Sequence, residues 1–406
     1  MAVKNWAILA LVMVLTGCGG SSDSGDKEAA PTTPAIDDPT LIALGKSLFS
    51  DKNLSFNRQQ SCASCHNPGN AFIDSRKNAG DKVVAVSTGA DGVSLGDRNA
   101  PTAMYAAFSP AFKNGSRARF NTKLADYSGY LGGQFHDGRA ATLSAQAGGP
   151  PLNPLEMGMP DKASVVDRLR ENADYVAAFE FLYGSDVFND TDAAYTAMTE
   201  AIQAFEFSDT FYPFDSAYDR SLTGAYTYEP GSKAATGKAL FFSETDTNCS
   251  ACHMRLSQGR SGELFTGFEY HNIGVPENTA VRSRNGVNQP DLGLGGVLAE
   301  SAQNGKFKVP TLRNVAVTGP YMHNGIFQDL TTVVLFYDHF NNPANAINPE
   351  TGVAWAAPEV NANISFTELN TGDQMTQADA EAIVCFLRTL TDARYEHLLP
   401  DDGLCD

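Results

Sequence analysis

Apolar side chains recur along this chain at spacings of three and four residues far more often than at every second position. That periodicity predicts helices over 162–183, 192–209, 329–340 and 376–390, with few convincing strands. Two further helical segments resemble each other, LIALGKSLFSD at 41–51 and AATGKALFFSE at 234–244. Each gathers Leu and Phe on one face and leads through a polar loop into a C-x-x-C-H motif. The segment TTVVLFYDHF at 331–340 carries Tyr337, Asp338 and His339 among its apolar residues. Its pattern alone leaves open whether Tyr337 is a packed aromatic or a metal ligand.

The N-terminus has a different texture. An apolar run from Trp6 to Leu15 precedes LTGC and is too short to span a bilayer as a permanent helix. It reads as a signal peptide over 1–17 and resembles a bacterial lipoprotein signal, which would make Cys18 the acylated first residue. On the alternative of a plain secretory peptide, Cys18 is a bystander. Gly19 fits sorting to the outer membrane, so the expected location is the cell envelope, with membrane contact only through the lipid. Small, polar and Pro-bearing residues over 18–37 predict a flexible tether.

The 406 residues, 42% of them hydrophobic, suffice for two domains with separate cores. The doubled helix–loop–motif unit predicts an all-α fold of two tandem cytochrome-c-like domains, 38–215 and 216–406. The turn-rich stretch 212–231 marks the boundary. A formal charge of −18 argues against nucleic acid and suits a basic redox partner or a small neutral substrate.

Of seven cysteines, four form the motifs Cys62–Cys65–His66 and Cys249–Cys252–His253. This is the attachment spacing of c-type haem. Two thiols one helical turn apart add across the two vinyl groups of one porphyrin, and the adjacent His supplies the proximal nitrogen. A zinc site or a redox dithiol is the bland alternative. Cys385 and Cys405 remain as a disulfide or as two thiols, since an exported chain permits either.

The surrounding motifs go further. RNAPT at 98–102, GGQFHDGRAATLSAQAGGPPLNPLEMGMP at 132–160, EYHNIGVP at 269–276 and FKVPTLRNVAVTGPYMHNG at 307–325 stand in order. From about residue 38 to about 390 the chain resembles the bacterial dihaem cytochrome c peroxidase and MauG family. The resemblance implies two c-type haems, hydrogen peroxide as oxidant and a redox partner protein. A homodimer is common in this family. It places Gln146, Pro150 and Glu156 on the open face of the first haem. A carboxylate there can carry a proton between the two oxygens of peroxide as general acid–base, with Gln146 orienting the peroxide or a water. It also implies one calcium ion between the domains, held by Asn99, Thr318 and Pro320, whose amide and carbonyl oxygens are suitable hard ligands. Arg313 pairs with a haem propionate or forms a surface ion pair. Segment 376–390 matches a C-terminal helix that packs back on the first domain.

Departures from the family pattern sharpen the expectation. The loop VSTGADGVSLGDRNAPT lacks the His that caps the first haem in peroxidases needing reductive activation. The resemblance therefore implies a first haem open in its resting ferric state. Tyr337 falls where those peroxidases carry an axial Met and where MauG carries a Tyr. A phenolate favours higher oxidation states than a thioether does. Met322, His323 and His339 are the rival ligands. His136 stands where the family has a Trp between the haems, as a bridge to propionates or as a structural residue, and Thr247 replaces a second Trp. His271 matches a family motif without an assigned role.

The leading expectation is a MauG-like oxidoreductase that activates peroxide at the His66 haem and oxidises a partner, such as a protein side chain, through the His253/Tyr337 haem. The alternatives are a peroxide-scavenging cytochrome c peroxidase fed by a small cytochrome or copper protein, and a non-catalytic dihaem electron-transfer cytochrome.

Overall fold

A computed structural model describes residues 34–78, 80, 82–119, 123–256 and 262–405. The signal peptide, Cys18 and most of the tether lie outside the described residues. In chain order the α-helices are α1 (Pro39–Ser50), α2 (Cys62–Cys65), α3 (Leu143–Ala147), α4 (Lys162–Arg170), α5 (Ala173–Tyr183), α6 (Thr191–Glu206) and α7 (Ala217–Leu222). They continue as α8 (Lys233–Phe242), α9 (Thr279–Asn285), α10 (Leu294–Leu298), α11 (Leu330–Asp338), α12 (Phe366–Leu369) and α13 (Gln377–Arg388). Among the described residues, sheet is confined to the antiparallel pair β1 (Lys113–Arg117) and β2 (Tyr127–Leu131), and to a short pairing of β3 (Tyr270–His271) with β4 (Phe307–Lys308).

The repeated helical segments become α1 and α8, and their shared Gly-Lys has a physical reason. A Cβ on Gly45 would lie 1.8 Å from the Ala201 carbonyl oxygen, and one on Gly237 would lie 1.8 Å from that of Ala382. Both helices thus cross a partner, α6 or α13, at a contact that admits only glycine. Asp38 starts α1 by accepting from the Thr40 and Leu41 amides, and Pro39 stands in its first turn.

Two large apolar cores result. One is built mainly from residues 41–211, and the other from Tyr218 to Leu390. The described residues nevertheless make one compact body. Three sequence expectations need correction. The helix predicted over 162–183 is broken in two, because the Asn172 side chain accepts from the Asp174 amide and caps a new start. The terminal helix α13 packs on α8 and α11 in the second core rather than on the first. The first core is reached instead by the turn after it, where Tyr395 Oη donates to the Pro68 carbonyl at 2.8 Å. Arg313 is neither on the surface nor half of an exposed pair. It is fully buried and bonds both oxygens of Asp219, Ser216 Oγ and the Glu263 carbonyl.

Cys385 and Cys405 form a disulfide. It closes a loop of 20 residues, so replacing both with Ala is expected to cost about 3 kcal/mol of stability. Denaturant titration with and without a reductant checks this. A wild type insensitive to reductant would contradict it.

Candidate dihaem site

The two C-x-x-C-H motifs are held by the same local device. Ser61 and Ser64 form a capping box that starts α2, and His66 ends that helix. The His66 Nδ1 lies 3.1 Å from the Phe72 carbonyl, and His253 Nδ1 lies 3.1 Å from the Phe265 carbonyl. The carbonyls of Pro101 and Pro310 lie near enough to His66 and His253 respectively to favour their protonated forms, against the larger effect of burial. With Nδ1 engaged as donor, each ring presents Nε2 as its ligand atom. Burial lowers the pKa of His66 and takes His253 down to about 4, so both are neutral at pH 7. All four motif cysteines are free of disulfides.

The loops that carry those carbonyls form a second repeat. Thr102 Oγ1 donates to Ala71 O at 2.5 Å and accepts from the Met104 amide. Thr311 Oγ1 donates to Leu264 O at 2.6 Å and accepts from the Arg313 amide. Sequence reasoning missed this repeat, although APTAMY and VPTLRN carry its Pro-Thr signal.

A cavity of about 400 Å³ takes in His253, Cys249, Cys252 and Tyr337. Asp329 caps α11 through the Thr331 and Thr332 amides, which sets the rotation of the helix. Tyr337 then borders this cavity, while His339 turns to the other side against Trp355, with ring centroids 5.2 Å apart. Met322 and His323 also border the cavity, but His323 stacks on Phe307 at 3.7 Å. Burial holds the Tyr337 phenol well above its ordinary pKa, with the nearby Cys252 and Cys249 sulfurs adding to the shift.

The same cavity reaches His136, Asn99, Thr318 and Pro320. His136 Nε2 lies 3.0 Å from the Asn99 carbonyl, and burial pushes the imidazole down to about 3. It is therefore a neutral donor to that carbonyl. Asn99 Nδ2 donates to Ala85 O at 2.9 Å. Lys308 borders the cavity as well, and burial lowers its ammonium to about 8. No pattern in the sequence singled it out. His271 makes an ion pair with Glu269 at 2.9 Å, beside Cys252.

On the first haem's side, Glu156 sits in a closed loop. The Glu156 amide donates to Asn153 O at 3.0 Å, and the Met157 amide to Pro150 O at 3.2 Å. Its carboxylate is near enough to Cys62 and Cys65 to raise both thiols. Burial raises Glu156 itself, partly offset by Arg139. Gln146 lies half-buried in α3, which is pinned to α6 by Ser144 Oγ and Thr199 Oγ1 at 2.8 Å.

Glu206 was not foreseen. It ends α6 at 5% exposure, its Oε2 lacks a hydrogen-bond partner among the described residues, and its charge is felt at Cys62. Burial pushes this carboxyl from 4.5 up to about 8. The fold therefore favours the protonated form, and stability falls as pH rises from 4.5 to about 8. Glu206→Gln is expected to remove that loss. Thermal melts of both proteins across this range test it, and equal shifts at every pH would refute it.

A helical body carrying two haem-attachment motifs with matching histidine supports belongs to the c-type cytochromes in the broad sense. A family model described as di-haem cytochrome c peroxidase matches residues 39–227. The methylamine utilization protein MauG of Paracoccus denitrificans is 44% identical over 402 residues, covering 97% of each chain. The cytochrome c peroxidase Ccp of Escherichia coli is 30% identical over 288 residues, 71% of this chain and 50% of that protein. In structure, the diheme peroxidase BthA of Burkholderia thailandensis E264 is similar with a TM-score of 0.76 and 31% identity, covering 91% of this chain and 90% of that one. The chain belongs to the dihaem cytochrome c peroxidase family that includes MauG, and is a peroxidase-type oxidoreductase. Membership implies two c-type haems, and the free cysteines with the Nε2-presenting histidines fit them. Among the described residues no helix is long and apolar enough to cross a membrane.

Proposed function

We propose that this chain uses hydrogen peroxide at the His66 side and oxidises a partner protein through the His253/Tyr337 side. When bound, the haem pair supplies the redox chemistry, accepting two oxidising equivalents from peroxide and passing them on singly. The residues do the rest. His66 and His253 are the proximal ligands, fixed by their carbonyl-held Nδ1. Glu156 is the acid–base that moves a proton between the peroxide oxygens. Its partial burial raises its pKa and brings it nearer the working pH. Gln146 orients peroxide, and Pro150 shapes the same wall.

The observation that carries this reading is Tyr337 bordering the cavity of His253, Cys249 and Cys252. A buried phenol keeps its proton unless a cation draws it off, and ligation to ferric iron does so. The resulting anionic ligand suits holding an oxidising equivalent. Asn99, Thr318 and Pro320 are proposed as the calcium ligands. The Asn99 amide nitrogen already bonds Ala85, which leaves its oxygen for the ion. Lys308 borders the same cavity and is the cation proposed to meet a propionate, while His136, with its Nε2–H given to the Asn99 carbonyl, keeps the structural role. Cys18 is proposed as the lipid anchor in the cell envelope.

A stoichiometric peroxide titration of the fully oxidised, haem-loaded protein tests the reading by optical and near-infrared spectra. Immediate reaction is expected. A requirement for one added electron would instead favour the scavenging peroxidase, the reading that similarity to the Escherichia coli enzyme supports.

A further inference from the structure

Asp392 closes a buried bridge between the two histidine-supporting loops. Its Oδ1 accepts from Tyr105 Oη at 2.6 Å, its Oδ2 accepts from Asn314 Nδ2 at 2.7 Å, and its amide donates to Asn314 Oδ1 at 2.8 Å. Tyr105 is 2% exposed, and Asn314 and Asp392 are fully buried. The two donors hold equivalent places in the repeat. Each follows its Pro-Thr pair at the same distance, Tyr105 after Pro101-Thr102 and Asn314 after Pro310-Thr311. Each has a left-handed backbone, φ 62° and 61°.

The difference between them is informative. Asn tolerates left-handed backbone well, and a bulky aromatic does not. If Asp392 merely tied the loops together, Asn would serve at both positions. Tyr105 instead puts an oxidisable residue on the wall of the cavity that holds His253, on the loop whose Pro101 carbonyl lies close to His66. Phenols are oxidisable where Asn is not, and oxidation makes the phenolic proton strongly acidic. At 2.6 Å a carboxylate is placed to take it.

We propose that Tyr105 is a redox relay between the proximal sides of the two haems, with Asp392 as its proton acceptor. The proposal rests on the peroxide reading above. In the forward step Tyr105 gives one electron to the peroxide-oxidised haem pair, and its phenolic proton crosses to Asp392 Oδ1. A neutral phenoxyl radical and a protonated carboxyl result. One electron from the partner protein then reduces the radical, and the proton returns to the phenol oxygen. Two further observations support this. Burial pushes Asp392 up to about 6, so it is ionised at neutral pH yet more basic than a free carboxylate. Arg313, with its guanidinium carbon 5.5 Å from the Tyr105 ring centroid, helps keep Asp392 ionised, against burial and the neighbouring Asp215.

The test adds one equivalent of hydrogen peroxide to the haem-loaded, oxidised full chain, freezes it within milliseconds and records paramagnetic resonance and optical spectra. A narrow organic-radical signal is expected, and ring-deuterated tyrosine should sharpen it. Tyr105→Phe and Asp392→Asn should each lower its yield by about tenfold or more, with ferric haem spectra unchanged. Should Asp392→Asn not fold, Tyr105→Phe alone decides. An optical response without a tyrosine signal, or with one undiminished in Tyr105→Phe, overturns the relay and leaves the peroxide reading standing. No optical response in wild type overturns both.

Discussion

Glu156→Gln is expected to lower turnover of hydrogen peroxide by about 10²- to 10⁴-fold, the range that a positioned acid–base group contributes. The amide keeps the size of the side chain and its place in the loop closed by the Pro150 and Asn153 carbonyls, so folding and haem attachment should survive. What it loses is the ability to pick up and release a proton. The pH profile separates this from a packing defect. Glu156 must be ionised to accept the first proton, and burial raises its pKa against the opposing pull of Arg139. Activity on the acid side should therefore fall away above the ordinary carboxylate range, and that limb should vanish in Glu156→Gln. Steady-state rates between pH 4 and 8, taken with peroxide in excess, check both points. A variant with wild-type activity would sink the acid–base role.

The parts of this site that a sequence exposes are those whose chemistry is local. The haem-attachment signature is written in the five residues from Cys62 to His66 and again from Cys249 to His253, because its thiols and its histidine are neighbours in sequence. That Tyr337 borders the cavity agrees with its offset from the Pro-Tyr pair, since α11 runs unbroken from its Asp329 cap. The break at Asn172 was hidden because apolar periodicity runs across it and only a cap marks it. The pairing of β1 and β2 was hidden because KNGSR has no apolar alternation to announce a strand. The burial of Arg313 depends on Asp219, which is 94 residues away. Tyr105 and Asp392 are 287 residues apart, and no local period can report such a pair. One clue was available, the Pro-Thr repeat, which places Tyr105 and Asn314 as counterparts once the two loops are compared.

Tyr337→Met is expected to turn the second haem from a holder of oxidising equivalents into a store of a reducing electron. The physical cause is the ligand's charge. A phenolate stabilises ferric and higher states, whereas a neutral thioether stabilises ferrous iron. The midpoint potential of the second haem should rise by a few tenths of a volt, within the roughly 0.8 V that axial ligands span. Met is flexible enough to fill the space that Tyr337 occupies beside Val333 and Val334 in the cavity wall, so the change tests the ligand more than the packing. Tyr337→Phe is the companion variant. It keeps the ring and removes the oxygen, so it should open the sixth position without supplying a sulfur. Redox titration followed optically gives the potentials, and near-infrared spectra after peroxide report whether the two haems still share an oxidising equivalent. Sharing should be lost in both variants, while the reaction of peroxide at the His66 side persists. If the potential and the spectra of Tyr337→Phe match those of the wild type, Tyr337 is a packed aromatic. Met322 and His323 would then be the ligands to examine, because both border the same cavity while His339 faces Trp355. Expected and contrary results thus divide the two readings of α11 on one helix face, by potential and spectrum rather than by turnover alone.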